Sequence, residues 1–162
     1  MADIFSGSEI IELGIQIEIN GRDFYRALKG KAADIKLRRV FDFLSGEEEK
    51  HIKIFQEILK DFFPDANAMA GFDEYFAYMN SLAKSYVFTR KDAGEKAARE
   101  IKDERDGIKK AMGFEKESIA FYEGMKKIVP EKEGSSVDLL ISQEKIHLRQ
   151  LEEIFNEIQK GK

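Results

Sequence analysis

Two places in this 162-residue chain put a glutamate three residues ahead of a histidine: Glu48 before His51 and Glu144 before His147. The chain has no other histidine. Residues three apart on a helix share a face, so each pair would present a carboxylate and an imidazole side by side. Those are ligand types suited to divalent transition metals. Glutamate is common, at 20 of 162 residues. Even so, chance would supply one at that spacing before both histidines with a probability of only about 0.015.

The two pairs sit within longer apolar seams, read at alternating spacings of three and four along a helix face. One seam runs Phe41, Leu44, Glu48, His51, Phe55, Ile58, Phe62, and another Val137, Leu140, Glu144, His147, Leu151, Ile154, Ile158. Two further seams carry one carboxylate each at the middle. These are Ile11, Gly14, Glu18, Gly21, Tyr25, Leu28 and Ile108, Ala111, Glu115, Ser118, Tyr122, Met125, Val129. Four carboxylates facing an apolar core without compensation would each cost several kcal/mol of desolvation. Two divalent cations would neutralise all four, with two neutral imidazoles completing the shell. Gly14 and Gly21 flank Glu18 and are read as allowing close helix packing rather than as room for a small oxidant.

Four long helices are needed to hold these seams together. The periodicity predicts them at about 8–32, with Ser8 as N-cap, 34–62, 106–129 and 136–159, the last starting near Ser135 or Ser136. Pro64 and Pro130 are the chain's only prolines, and both fall where the apolar period lapses. Short connections at 32–35 and 130–135 predict two antiparallel hairpins. The long crossover, 63–105, would be partly helical, near Phe72–Tyr86 and Ala93–Lys102, and would serve as an irregular cap or as a functional lid. No stretch alternates with the period of a strand. The fold class is therefore all-α, a four-helix bundle of two hairpins with a long crossover, read as a single domain over 1–162. Glu18 and Glu48 lie ~14–15 residues from the first turn, which puts them at the same height, about 21–23 Å from it. The halves also repeat: Glu18 to Tyr25 aligns with Glu115 to Tyr122, and Glu48 and His51 align with Glu144 and His147, consistent with a pseudo-twofold axis.

Composition narrows the possibilities. A chain of 18.6 kDa with 43% hydrophobic and 36% charged residues can bury a core. The absence of cysteine excludes disulfides, thiolate catalysis and cysteine-ligated iron centres within it. With 27 basic and 31 acidic residues there is no basic block for nucleic acid, and no apolar run long enough for a membrane. Met1 to Gly14 lacks the pattern of a secretory signal, so a cytoplasmic location is the expectation.

The paired Glu…Glu-x-x-His arrangement resembles the ferritin-like di-iron carboxylate proteins, and among them the rubrerythrin-type domains, over nearly the whole chain. That ligand set is a known feature of such bundles. The resemblance implies that Glu18, Glu48, His51, Glu115, Glu144 and His147 hold two irons. Glu48 and Glu144 would bridge, Glu18 and Glu115 would be terminal, and each iron would take one histidine. Manganese or zinc would also suit such a shell. Tyr25 and Tyr122 resemble tyrosines of these relatives and are read as core aromatics with satisfied hydroxyls, or as redox-active neighbours of the centre.

Two features depart from that pattern. No rubredoxin-like module can be present in a chain without cysteine. Ser118 also stands where rubrerythrins carry a further glutamate, while Glu117 should point ~200° away from its helix seam. The set of six ligands resembles bacterioferritin ferroxidase centres equally well. The implied activity is reduction of hydrogen peroxide or dioxygen, with electrons from an external donor such as a rubredoxin or ferredoxin, in a homodimer. The alternatives are a ferroxidase with an iron-handling role, or a non-catalytic metal-binding protein.

Overall fold

The computed structural model describes residues 7–62 and 73–161. Helix α1 spans Gly7–Lys31 and α2 spans Ile35–Lys60. The crossover contains α3 (Asp73–Ser85), a 3₁₀ turn at Val87–Thr89 and α4 (Ala93–Arg99). The second hairpin is α5 (Glu104–Met125) and α6 (Glu131–Lys160). Among the described residues there are no strands. None of the helices among the described residues is long and apolar enough to cross a membrane.

Local chemistry sets the ends of the hairpins. Asp34 caps α2 by accepting from the Lys36 N–H at 2.7 Å, and Asp103 caps α5 by accepting from the Asp106 N–H at 2.7 Å. Across the first turn, Arg38 Nε donates to the Ala32 carbonyl at 2.6 Å and Lys29 pairs with Asp42 at 2.8 Å.

Several boundaries differ from those predicted, among them the start of α5 at Glu104, not 106, and the end of α2 at Lys60, not 62. Helix α1 begins at Gly7, so Ser8 lies in its first turn instead of capping it. Helix α5 ends at Met125, not 129, and α6 begins at Glu131, not Ser135 or Ser136. Pro130 occupies the N-cap of α6 with φ −55°, and Glu131 and Glu133 place negative charge in the first turn. Proline has no N–H to leave unpaired there, and the acids complement the helix dipole. Ile128 and Val129 stay buried in the turn and close that end of the bundle. Phe72 and Pro64 lie outside the described residues.

The seams face inward as their spacing predicts. Those of α1, α2 and α5 are buried along their described lengths, whereas on α6 Ile154 and Ile158 are only half-buried. Within each hairpin the helices pack closely, α1 on α2 and α5 on α6. The hairpins meet along α1–α5 and, more sparsely, along α2–α6.

The crossover lies on α1 and α5. Its anchor is the fully buried Asn20, whose amide Nδ2 donates to the carbonyls of Phe88 and Arg90, both at 2.6 Å. Its Oδ1 accepts from the Gly94 N–H at 3.1 Å. Here glycine is required, because a Cβ on residue 94 would fall 2.0 Å from the Asn20 carbonyl oxygen. Phe88 extends the core, its ring centroid 5.5 Å from that of Phe24 and 4.6 Å from that of Phe114. The crossover is thus a cap packed into the core.

Candidate metal centre

Each long helix contributes to one buried cluster midway along the bundle. Helix α1 supplies Glu18, α2 Glu48 and His51, α5 Glu115, and α6 Glu144 and His147. The four carboxylates are fully buried and the two imidazoles nearly so. Their ligating atoms form two groups, Glu18–Glu48–His51–Glu144 and Glu48–Glu115–Glu144–His147, within each of which they lie within 4.8 Å of one another. Glu48 and Glu144 belong to both groups. All six residues singled out in the sequence are brought together, and the membership of the two groups follows the pseudo-twofold relation.

Contacts across the cluster are close. His51 Nδ1 lies 2.7 Å from Glu144 Oε1 and 3.4 Å from Glu18 Oε2. His147 Nδ1 lies 3.2 Å from Glu144 Oε2 and 3.9 Å from Glu48 Oε1. The two rings stack with centroids 5.8 Å apart at 17°. Tyr25 and Tyr122 serve the halves crosswise. The Tyr25 hydroxyl on α1 donates to Glu115 Oε1 on α5, and the Tyr122 hydroxyl on α5 donates to Glu18 Oε1 on α1. Both hydroxyls are therefore satisfied, each by the glutamate of the opposite half.

What is left unpaired defines the fit to a cation. Glu18 Oε2, both oxygens of Glu48, Glu115 Oε2 and Glu144 Oε1 are buried without a hydrogen-bond partner, as is His51 Nδ1. Buried carboxylate oxygens seldom go unpaired, because an unsatisfied polar atom costs about 1–3 kcal/mol or more. Five such oxygens converging with an imidazole nitrogen fit a set of metal ligands and no hydrogen-bond network of the protein itself.

Electrostatics without a cation lead to the same view. Burial, together with the carboxylates of Glu144 and Glu18, pushes Glu48 well above the usual carboxylate range. Burial and Glu144 do the same to Glu115, and burial and Glu18 raise Glu144 against the pull of His51. Glu18 is the exception: burial would raise it, but the charge of His51 and the neighbouring Glu48 and Tyr122 side chains hold it below its ordinary value. Burial would lower His51, yet Glu18 and Glu144 hold it up to about 11. His147 is lowered by burial. Without metal, burial and mutual repulsion raise three of the four acids, and the carboxylates facing His51 raise its imidazole in turn.

The glycines of the α1 seam serve packing. A Cβ on Gly14 would lie 2.7 Å from Met125 Cε, and one on Gly21 would lie 2.5 Å from Phe114 Cζ and 3.1 Å from Glu48 Oε2. Ser118 is buried and its hydroxyl donates to the Phe114 carbonyl at 3.0 Å. Glu117 lies outside both groups and lines a surface groove with Asp106, Lys109, Lys110, Phe88 and Phe114. No carboxylate from that turn of α5 therefore joins the cluster, as its position two residues beyond Glu115 predicts.

The sequence reading missed two supporting residues. Asn20 is polar and mid-helix, and in sequence it is indistinguishable from an exposed asparagine. Gln143, adjacent to Glu144 on α6, lies off the apolar seam but meets His51 Nε2 at 2.8 Å.

Two antiparallel helix hairpins enclosing a shared carboxylate–imidazole cluster define the ferritin-like class of helical bundles. The family model described as Rubrerythrin matches residues 9–155, which includes every residue of the cluster, and the chain belongs to that family. No curated protein and no solved structure matches the chain significantly.

Proposed function

We propose that the cluster binds two iron ions and that the loaded protein reduces hydrogen peroxide or dioxygen with electrons from an external donor. The observation that carries this reading is the pair of four-residue groups sharing Glu48 and Glu144, with five partnerless buried carboxylate oxygens. In this assignment Glu18 and His51 belong to one ion, Glu115 and His147 to the other, and Glu48 and Glu144 to both. When bound, a ferrous pair supplies two electrons at one place, matching the two electrons and two protons that convert hydrogen peroxide to two waters.

The protein's own part follows from its geometry. Tyr122 and Tyr25 each hold one oxygen of a terminal glutamate, leaving the other oxygen directed at the cluster. The surrounding seams exclude bulk water and so strengthen every charge interaction inside. Glu48 and Glu144 can exist protonated or ionised and so can release protons as cations bind.

The proposal includes a separate rubredoxin or ferredoxin as donor and assembly as a homodimer. Anaerobic ferrous titration should saturate at about two ions per chain, and peroxide should then oxidise the centre at about one equivalent per pair. Ser118, standing where a further glutamate would lie, favours one second reading, a ferroxidase. Oxidation by dioxygen much faster than by peroxide would establish that reading instead. Saturation at one ion or none would overturn both.

A further inference from the structure

His51 and His147 occupy equivalent places in the two halves but are not supported alike. His51 Nε2 lies 2.8 Å from Gln143 Oε1. A carboxamide oxygen only accepts, so Nε2 carries the proton and donates. Nδ1 is then the nitrogen facing Glu144 and Glu18, at 2.7 and 3.4 Å, and it has no hydrogen-bond partner. The residue equivalent to Gln143 in the first half is Glu47. Its Oε1 accepts from Lys50 Nζ at 2.6 Å, and among the described residues no hydrogen bond joins it to His147. The His147 ring stands instead nearly perpendicular to that of Phe43, centroids 6.2 Å apart.

We propose that Gln143 is a positioning residue that fixes His51 with Nδ1 toward the carboxylates, making the Glu18–His51 half-site the tighter of two unequal cation positions. The proposal rests on the two-ion reading above. A partner behind a ligating histidine sets both its tautomer and its ring orientation, and losing such a partner typically weakens metal affinity about 10–100-fold. Among the described residues no hydrogen bond backs His147 from behind, and Glu47 acts on it through charge alone, so the two halves of a near-symmetric site differ in what holds their imidazoles.

The test uses cobalt(II) as the probe, titrated anaerobically against a competing chelator into the whole metal-free chain and followed by visible absorption. Gln143→Met keeps the side-chain length and removes the acceptor, Gln143→Glu keeps the acceptor, and Glu47→Met alters the equivalent place in the first half. Wild type should bind two ions with unequal affinity. Gln143→Met should weaken the tighter one by about 10–100-fold and leave the other within about threefold. Gln143→Glu and Glu47→Met should retain both. In the zinc-loaded protein, the His51 Nε2–H should exchange slowly by NMR in wild type and Gln143→Glu, and rapidly in Gln143→Met. A merely structural role would not move that signal.

Unchanged affinities in Gln143→Met, equal loss in Gln143→Glu, or the same loss in Glu47→Met overturns the proposal while leaving the two-ion reading intact. Failure of wild type to bind two cobalt ions overturns the two-ion reading and this proposal with it.

Discussion

Glu48→Gln should make the metal-free protein more stable and the metal-saturated protein less stable. Glu48 is fully buried, both its oxygens lack partners, and burial with Glu144 and Glu18 holds it protonated well above its ordinary 4.5. Keeping a carboxyl protonated costs about 1.4 kcal/mol for each pH unit above the value at which the unfolded chain ionises. At about pH 8 that amounts to about 5 kcal/mol at most. Glutamine has the same shape and needs no proton. Its amide must find acceptors among Glu18 and Glu144, so part of the gain is offset, leaving about 1–3 kcal/mol. For a chain of this size each kcal/mol moves Tm by about 2–4 °C, so metal-free melts by circular dichroism should rise by about 3–10 °C. With metal the order reverses. At one hundred times Kd, each bound ion stabilises wild type by about 2.7 kcal/mol. Glu48 belongs to both groups, so the variant should lose most of a gain of about 5 kcal/mol. A lower metal-free Tm for the variant, or an undiminished rise on adding ferrous or cobalt ion, would refute the reasoning.

Four further outcomes follow from the same structure. In the metal-free protein, His51, Glu48, Glu115 and Glu144 are all raised, so each contributes stability that is present at low pH and lost as pH climbs through its folded value. His51 loses its contribution between about 6.5 and 11, while Glu18 and His147, lowered from 4.5 and 6.5, act in the opposite sense only below those values. Metal-free Tm should therefore fall from about pH 6 to about pH 9 while the gain on metal addition grows, since ligands must shed protons; parallel melts in chelator and in cobalt(II) decide it. Gly94→Ala should lose about 3 kcal/mol or more by denaturant titration, because backbone atoms of Asn20 cannot yield to a Cβ. Gly30→Ala has open space at its Cβ and should gain up to about 1 kcal/mol in the same assay. Asn20→Leu removes three hydrogen bonds to the crossover and should cost about 2–4 kcal/mol. Its effect should appear first as faster amide exchange over 88–94.

The bundle was legible in the sequence because its seams are long and interrupted only by chemistry. Phe41 to Ile58 reads as one helix face whether or not its middle is polar, and the carboxylates stand out because the positions around them are apolar. The end of the second hairpin was not legible, for a definite reason. Ile128 and Val129 continue the apolar period, but they do so as the plug of a turn after α5 has ended. Serines at 135 and 136 look like caps, yet Pro130 at the N-cap and the acids at 131 and 133 start α6 earlier. The tyrosines illustrate a second limit. Spacing puts Tyr25 two turns from Glu18 on its own helix, whereas its hydroxyl serves Glu115 across the bundle. Periodicity reports which face a residue occupies, not which residue it meets on another helix. Asn20 and Gln143 escaped for the same reason, since both act across helices from positions outside any seam.

The crossed tyrosines also bear on how the two hairpins hold together. Each hairpin is a closely packed unit, while contact between them is concentrated on α1–α5 and is sparse between α2 and α6. Beside apolar contacts such as Phe55 on Tyr122, the polar side-chain pairs bridging that boundary are those of the cluster: Tyr25 to Glu115, Tyr122 to Glu18, and His51 to Glu144 and Gln143. In the absence of a cation these bridges carry the cost of buried acids, so electrostatic strain is concentrated between the hairpins. A cation held by Glu48 and Glu144 would turn like-charge repulsion across that boundary into attraction, joining α2 to α6. The same six residues that would carry redox chemistry are then the fastening between the halves, and that is a physical reason for one carboxylate on every long helix. Ligands confined to a single hairpin would leave the seam between the hairpins unsecured.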